Sequence, residues 1–218
     1  MSDRGAADRR ELARQTQAKA SRWPRTERRV ERVTAVLARR QVDLTVVLEN
    51  VHDPHNVSAV LRSCDATGVL RAHAVYTDEE PPPGAFARTT SASAAKWVEV
   101  VRHESITACY ASLRAAGFAI YATALTATSD DLYDVDLTRS VALVFGNEMR
   151  GVSDEASERA DRSLAIPMMG MVQSLNISVA CAVSLYEALR QRRAADAYDR
   201  PSLDPTELAS LRDEWLRR

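Results

Sequence analysis

The sequence predicts an α/β fold in which helices cover both faces of a mostly parallel sheet, with short helical extensions at the two ends of the chain. Three observations predict it. Short β-branched runs alternate with helical stretches along most of the sequence, the pattern of a parallel sheet built from crossover units. Glycines close the helical stretches, at Gly68 and Gly117. The length, 218 residues with 45% apolar side chains, is enough for one large core.

The elements follow in order. DRRELARQTQA and TERRVERVTAVLARR read as helices separated by Pro24, and Val30, Val33, Val36 and Leu37 give the second an apolar face under a basic one. LTVVLENV (44–51) is a buried strand. PHNVSAVLRSCDATG (54–68) is a helix entered at Pro54, with Asn56 placed to cap it, and RAHAVYT is again a strand. The proline-rich DEEPPPGAFARTTSASAA reads as a loop. KWVEVV, FAIYATAL and SVALVFG (140–146) are strands, the last the strongest of all, and ESITACYASLRAAG is a helix. SDEASERA is a short helix, SLAIPM a strand end and NISVACAVSLYEALRQRR a long helix. DPTELASLRDEWLRR closes the chain as an amphipathic helix.

Composition excludes several classes. No apolar run reaches the roughly 18 residues of a membrane span, and MSDRGAADRRELARQ has no apolar core of a secretory signal. Three scattered cysteines (Cys64, Cys109, Cys181) argue against a disulfide framework and have no zinc-ligand spacing, so a reducing, cytoplasmic setting and no metal are expected. A net charge of −1 hides an asymmetry: residues 1–40 carry 12 Lys/Arg against 5 Asp/Glu, while residues 41–186 carry 10 against 18. A basic arm on an acidic body suits a polyanion, or is a solvated arginine-rich face.

Ligands of such sheets bind beyond the carboxyl ends of strands, and three segments that follow strands stand out. In HNVSAVLR (55–62), Val57, Val60, Leu61 and Cys64 form the packing stripe. Arg62 points roughly 140° away from Val57 around the helix. FGNEMRG (145–151) places Glu148 between Gly146 and Gly151, glycines that let backbone approach a ligand. It is not a dinucleotide fingerprint, because the G-x-G-x-x-G spacing is absent. IPMMGMVQSLNISVA (166–180) is uncharged, holds three of the five methionines, and offers Ser174 or Asn176 as cap for the following helix. Soft apolar side chains there suit the flat face of a purine, and equally a buried core loop.

Taken in order, Asn56 to Arg62, Gly146 to Gly151 within LVFGNEMRG, and IPMMGMVQSLNISVA resemble the three motifs of the SpoU/TrmH group of SPOUT-superfamily RNA 2′-O-methyltransferases. VLENVHDPHNVSAVLRSCDATGV, YATAL, YEALRQR and YDRPSLDP extend the likeness over nearly the whole chain, nearest to the family's tRNA guanosine-2′-O-methyltransferase branch. The departures are small: Ser63 stands where Thr is common, and Met149–Arg150 fill a variable pair.

The resemblance implies a C-terminal trefoil knot, a homodimer and bent S-adenosyl-L-methionine held largely by backbone groups. By matching position it assigns Thr123, Gly146, Ile166, Ser174 and Leu175 to the cofactor, Arg62 and Asn56 to catalysis, and Glu148 and Asn176 to substrate binding or shaping of the pocket. The reaction implied is methyl transfer to a ribose 2′-hydroxyl of tRNA, at the D-loop guanosine. A guanidinium seldom deprotonates, its pKa lying above about 12. Arg62 therefore either binds a phosphate and yields a proton only within that assembly, or stabilises the developing oxyanion while another group accepts the proton. The basic arm then gains a partner. Arg28, Arg29 and Arg32, with Arg190, Arg192 and Arg193 of the RQRR cluster, are expected to hold tRNA phosphates. This divides the chain into an RNA-binding arm (1–42), a methyltransferase domain (43–193) and a helical extension (194–218). The rivals are methylation of rRNA or of the tRNA wobble nucleotide, and, from another class, a non-catalytic RNA-binding factor.

Overall fold

The computed structural model describes residues 26–77, 96–126 and 128–218. The expected first helix and the proline-rich loop lie outside those residues. The described residues divide into two compact units, residues 26–37 with 204–218, and those within 38–203. The first unit contains α1 (Glu27–Leu37) and, from the other end of the chain, a helix over Pro205–Trp215, and these two are in contact. The apolar face read for α1 is buried at Val33 and Leu37, whereas Val36 is exposed.

Among the described residues the larger unit holds a sheet of seven strands, each paired in parallel with its neighbours. They are β1 (Leu44–Glu49), β2 (Arg71–Val75), β3 (Glu99–His103), β4 (Ala119–Thr123), β5 (Asp130–Asp131), β6 (Val141–Phe145) and β7 (Arg162–Ala165). Their spatial order is β3-β2-β1-β6-β4-β7-β5. The central pair β1 and β6 is buried at every position, as the uninterrupted runs LTVVLE and VALVF require of strands covered on both faces. The two-residue β5 and the 3₁₀ turn after it, Leu132–Asp134, were not foreseen, being too short to leave a periodic signal.

The helices are α2 (Pro54–Thr67), α3 (Ile106–Ala115), α4 (Asp154–Arg159), α5 (Ile177–Ala194) and α6 (Pro205–Trp215). One core lies on the α2 and α5 side of the sheet, around Val57, Leu61, Cys64, Cys181 and Leu185. The other lies on the α3 side, around Val47, Cys109, Tyr110, Leu113 and Val144. Caps agree with the sequence except at α2. There Asp53, not Asn56, is the N-cap and accepts from the His55 amide at 2.8 Å. Pro54 takes the first helical position, where a missing N–H costs nothing, so the cap must precede it.

Gln41, Asp43 and the carbonyls of Leu137 and Arg139 surround the guanidinium of Arg192, which is fully buried. This corrects the assignment of Arg192 to tRNA. RQRR spans most of a helical circumference, so one of its arginines must face the body of the protein. Arg193 is exposed; Arg190 is also exposed and pairs with Glu187 at 2.7 Å. Arg28 and Arg32 are exposed on α1, with Arg29 half-buried.

Candidate active site

The three segments singled out in the sequence converge at the carboxyl ends of the central strands. β1 leaves through Glu49 and Asn50. The buried Glu49 carboxylate accepts from the Ser153 amide and hydroxyl, which fixes the start of α4. Asn50 turns the chain with φ 51° and is clamped through its side chain to the amide and hydroxyl of Thr77 at 2.9 and 3.0 Å.

β6 leaves through Gly146 into a loop closed on itself. Asn147 and Gly151 exchange two backbone hydrogen bonds of 2.8 Å. The Asn147 side chain accepts from the amides of Met149 and Arg150 and donates to the Asn50 carbonyl at 2.8 Å, joining this loop to the exit of β1. A Cβ on Gly146 would meet the Gly151 carbonyl oxygen at 2.0 Å, so only glycine permits the closure. Sequence reasoning missed Asn147, whose turn-forming habit beside a glycine was the available signal.

One chain of polar contacts crosses all three segments. The Glu148 carboxylate accepts from the Asn56 amide at 3.0 Å and, more weakly, from the Asp53 amide at 3.4 Å. The Asn56 carbonyl oxygen accepts from the Asn176 side chain at 3.1 Å. Asn176 in turn caps α5, accepting from the Ser178 amide at 2.9 Å. Of the two candidate caps it is therefore Asn176 that serves, and Ser174 is left exposed. Asn56 is buried, and both ends of its amide are engaged.

Beside this junction the uncharged bend forms one wall of a cleft of about 380 Å³, within the usual range for small-molecule sites. Ile166, Pro167, Met168 and Val172 give it apolar walls; Ser129, Asp131 and Gln173 supply polar groups, with Asp131 the single charge. The bend is not a buried core loop, since Met169 and Met171 are almost wholly exposed. Of the residues assigned to the cofactor, Ile166 lines this cleft, while Ser174 and Leu175 follow directly on Gln173. Thr123 and Gly146 are not among its walls, and the Thr123 hydroxyl donates to the Val144 carbonyl at 2.8 Å. Ser129 and Asp131 escaped the sequence reading because they belong to the unforeseen β5 region.

Arg62 stands apart. It lies on the exposed side of α2 and, among the described residues, makes no hydrogen bond or ion pair. Tyr76 donates to the Val51 carbonyl at 2.7 Å, and burial pushes its hydroxyl up to about 12, which removes it as a proton acceptor near neutral pH.

The arrangement offers a cleft for an uncharged or cationic ligand, glycine and asparagine turns that join the exits of β1 and β6, and, on α2, a guanidinium that makes no hydrogen bond or ion pair among the described residues. Residues 43–186 match the model of the SpoU rRNA Methylase family. The chain belongs to this family. It is 50% identical over 194 residues to a tRNA (guanosine(18)-2′-O)-methyltransferase of Thermus thermophilus, covering 89% of this chain and 98% of that protein. The crystal structure of the TrmH/SpoU tRNA modifying enzyme of A. aeolicus superposes with a TM-score of 0.79 at 39% identity, over 87% of this chain and 95% of the other. The SpoU methyltransferase AviRb of Streptomyces viridochromogenes, solved in complex with AdoMet, superposes with a TM-score of 0.62 at 26% identity, over 72% and 61%.

Proposed function

We propose that this SpoU-family protein methylates the 2′-hydroxyl of the guanosine at position 18 of tRNA, using S-adenosyl-L-methionine. The observation that carries the reading is the polar chain Glu148–Asn56–Asn176, which binds the three motif segments into one site beside the cleft. The identity and coverage of the Thermus relative support the choice of tRNA.

The residues present fit the cofactor. The cleft is apolar with one carboxylate, suited to a ligand bearing positive charge on an otherwise neutral body. Ile166, Met168 and Val172 would hold the purine, and Asp131 would face a cationic end of the ligand. When bound, S-adenosyl-L-methionine supplies a methyl group on a sulfonium. The rest of the work falls to the chain. Arg62 holds the target nucleotide and stabilises negative charge growing on its 2′-oxygen while the hydroxyl proton passes to water, as preorganised cations do. Glu148, Asn56 and Asn176 set the loops in place and exchange no protons.

The same reading makes the enzyme a cytoplasmic homodimer with a trefoil knot in its C-terminal half. The insertion of β6 between β1 and β4 is compatible with such a knot. Support for the dimer comes from α5, where Val179 and Tyr186 are exposed and Val183 is half-buried, an apolar stripe at i, i+4 and i+7. A second copy on that stripe would bring its own α2, so that Arg62 serves the partner's cleft. Arg28, Arg32 and Arg193 hold tRNA phosphates.

The test is transfer of labelled methyl to a tRNA transcript, followed by nucleoside mapping. A single 2′-O-methylguanosine at position 18 is expected. Label on a base, or none at all, overturns the proposal.

A further inference from the structure

Away from the cleft, on the face of the sheet covered by α3, three potential metal ligands meet. His73 of β2 and His103 of β3 project from the same face: in the parallel register His103 stands opposite Val75, two residues beyond His73, which makes the histidines a diagonal pair. Their rings stack with centroids 5.1 Å apart, and Nδ1 of His73 lies 2.8 Å from Nε2 of His103. Cys109, in the first turns of α3, sits over them. One ligand atom from each of the three lies within 4.8 Å of the others.

We propose that His73, His103 and Cys109 form a binding site for one borderline-soft divalent cation, zinc in the first instance. Imidazole and thiolate together select such a cation, and three protein ligands leave a fourth position for water. The grouping is not a sequence motif, since thirty residues separate the histidines; two strands and a helix bring it together. Tetrahedral bonds of about 2.0–2.3 Å set ligand atoms roughly 3.3–3.6 Å apart. The nitrogens must part slightly and the sulfur move in, adjustments within reach of side-chain rotation.

Burial lowers both imidazoles, His73 to about 4, and pushes the Cys109 thiol up to about 12, so the thiol gives up its proton against that burial only as the sulfur–metal bond forms. In the metal-free pair, one of the two facing nitrogens carries the shared proton. On binding, that proton moves to the other nitrogen of its own ring, and Cys109 releases its thiol proton to water. Two N–metal bonds and one S–metal bond form while one S–H bond breaks. The nearby charges, Arg71 and Glu99, pair with each other at 2.8 Å and add little net repulsion. His103 is partly exposed, and His73 also lines a separate cavity of about 340 Å³ with Thr45, Arg71, Glu99 and Ser112. The bound ion would tie β3, the edge strand of the sheet, to β2 and to the start of α3.

The test uses the full chain, stripped by chelator and titrated with cobalt(II) chloride, then zinc chloride. Expected are one cobalt per chain, a thiolate-to-cobalt charge-transfer band, release of one proton per metal, and displacement of cobalt by zinc with a rise in Tm. Cys109→Ser should abolish the band, and His103→Gln, at the partly exposed ligand, should weaken binding by about 100-fold. His55→Gln, outside the cluster, should bind as the parent does. Absence of the band in the parent protein overturns the proposal even where a variant fails to fold, as does a band that survives Cys109→Ser. Methyl transfer is read separately, so loss of the metal site and failure of the methyltransferase reading are distinguishable.

Discussion

Both ends of the Asn56 amide are committed inside the protein, one to Glu148 and the other to Asn176. That makes it a joint between segments rather than a free hand for substrate, and its substitutions should behave accordingly. Asn56→Asp places a second carboxylate against Glu148, and two such groups so close cannot both ionise cheaply. The pair then keeps a proton more readily when folded than when unfolded, so its contact is present in acid and lost as pH rises. Denaturation of Asn56→Asp should show near-parent stability close to pH 4 and a deficit of about 2–4 kcal/mol at pH 8. In Asn56→Ala the contact is missing at every pH, and the deficit should vary little. Arg62 is the opposite kind of residue, exposed and uncommitted among the described residues. Arg62→Lys retains the charge and loses the planar fork. Single-turnover assays should show methyl transfer slowed by about 100-fold or more, with tRNA affinity within a few-fold of the parent; near-normal turnover would remove Arg62 from the chemistry.

The two glycines of the closed loop after β6 differ in what they permit. Gly146 is glycine because no atom fits beside it, whereas Gly151 has open space around its α-carbon and a φ of +72°. Gly151→Ala should cost only about 1 kcal/mol, the price of a left-handed backbone. Gly146→Ala should break the Asn147–Gly151 closure, and calorimetric titration should find S-adenosyl-L-methionine binding lost. Elements of this kind were partly legible. The strands β1 and β6 and the helix α5 announced themselves through long apolar runs, and the three motif segments through their unusual residues. What could not be read were contacts whose partners lie far apart in the chain. The Asn50–Asn147 clamp, the entry of Ser129 and Asp131 into the cleft, and the meeting of His73 with His103 all depend on strand order, which no local period encodes. The cap of α2 was misplaced for a smaller reason, the proline at its first position.

For the whole molecule, the acidic body and basic arm foretold an interface with a polyanion, but charge counting could not tell an outward arginine from an inward one. Arg192 and Arg193 are neighbours in sequence with opposite duties. Arg192→Ala should remove the group that satisfies three backbone carbonyls, the Gln41 side-chain oxygen and the Asp43 carboxylate, costing about 3–5 kcal/mol in chemical denaturation. Arg193→Ala should leave stability unchanged within about 0.5 kcal/mol. Its effect should appear in tRNA binding, as a lower affinity and a shallower dependence on salt. Strand order also carries a consequence for biosynthesis. β1 finds one neighbour soon, in β2, but its other neighbour is β6, whose last residue is Phe145. Until Phe145 has left the ribosome, a strand with no exposed residue has a bare row of amides and carbonyls. A nascent chain stalled before that point would present a sticky template to its neighbours, an aggregation-prone species by the same physics that later completes the sheet.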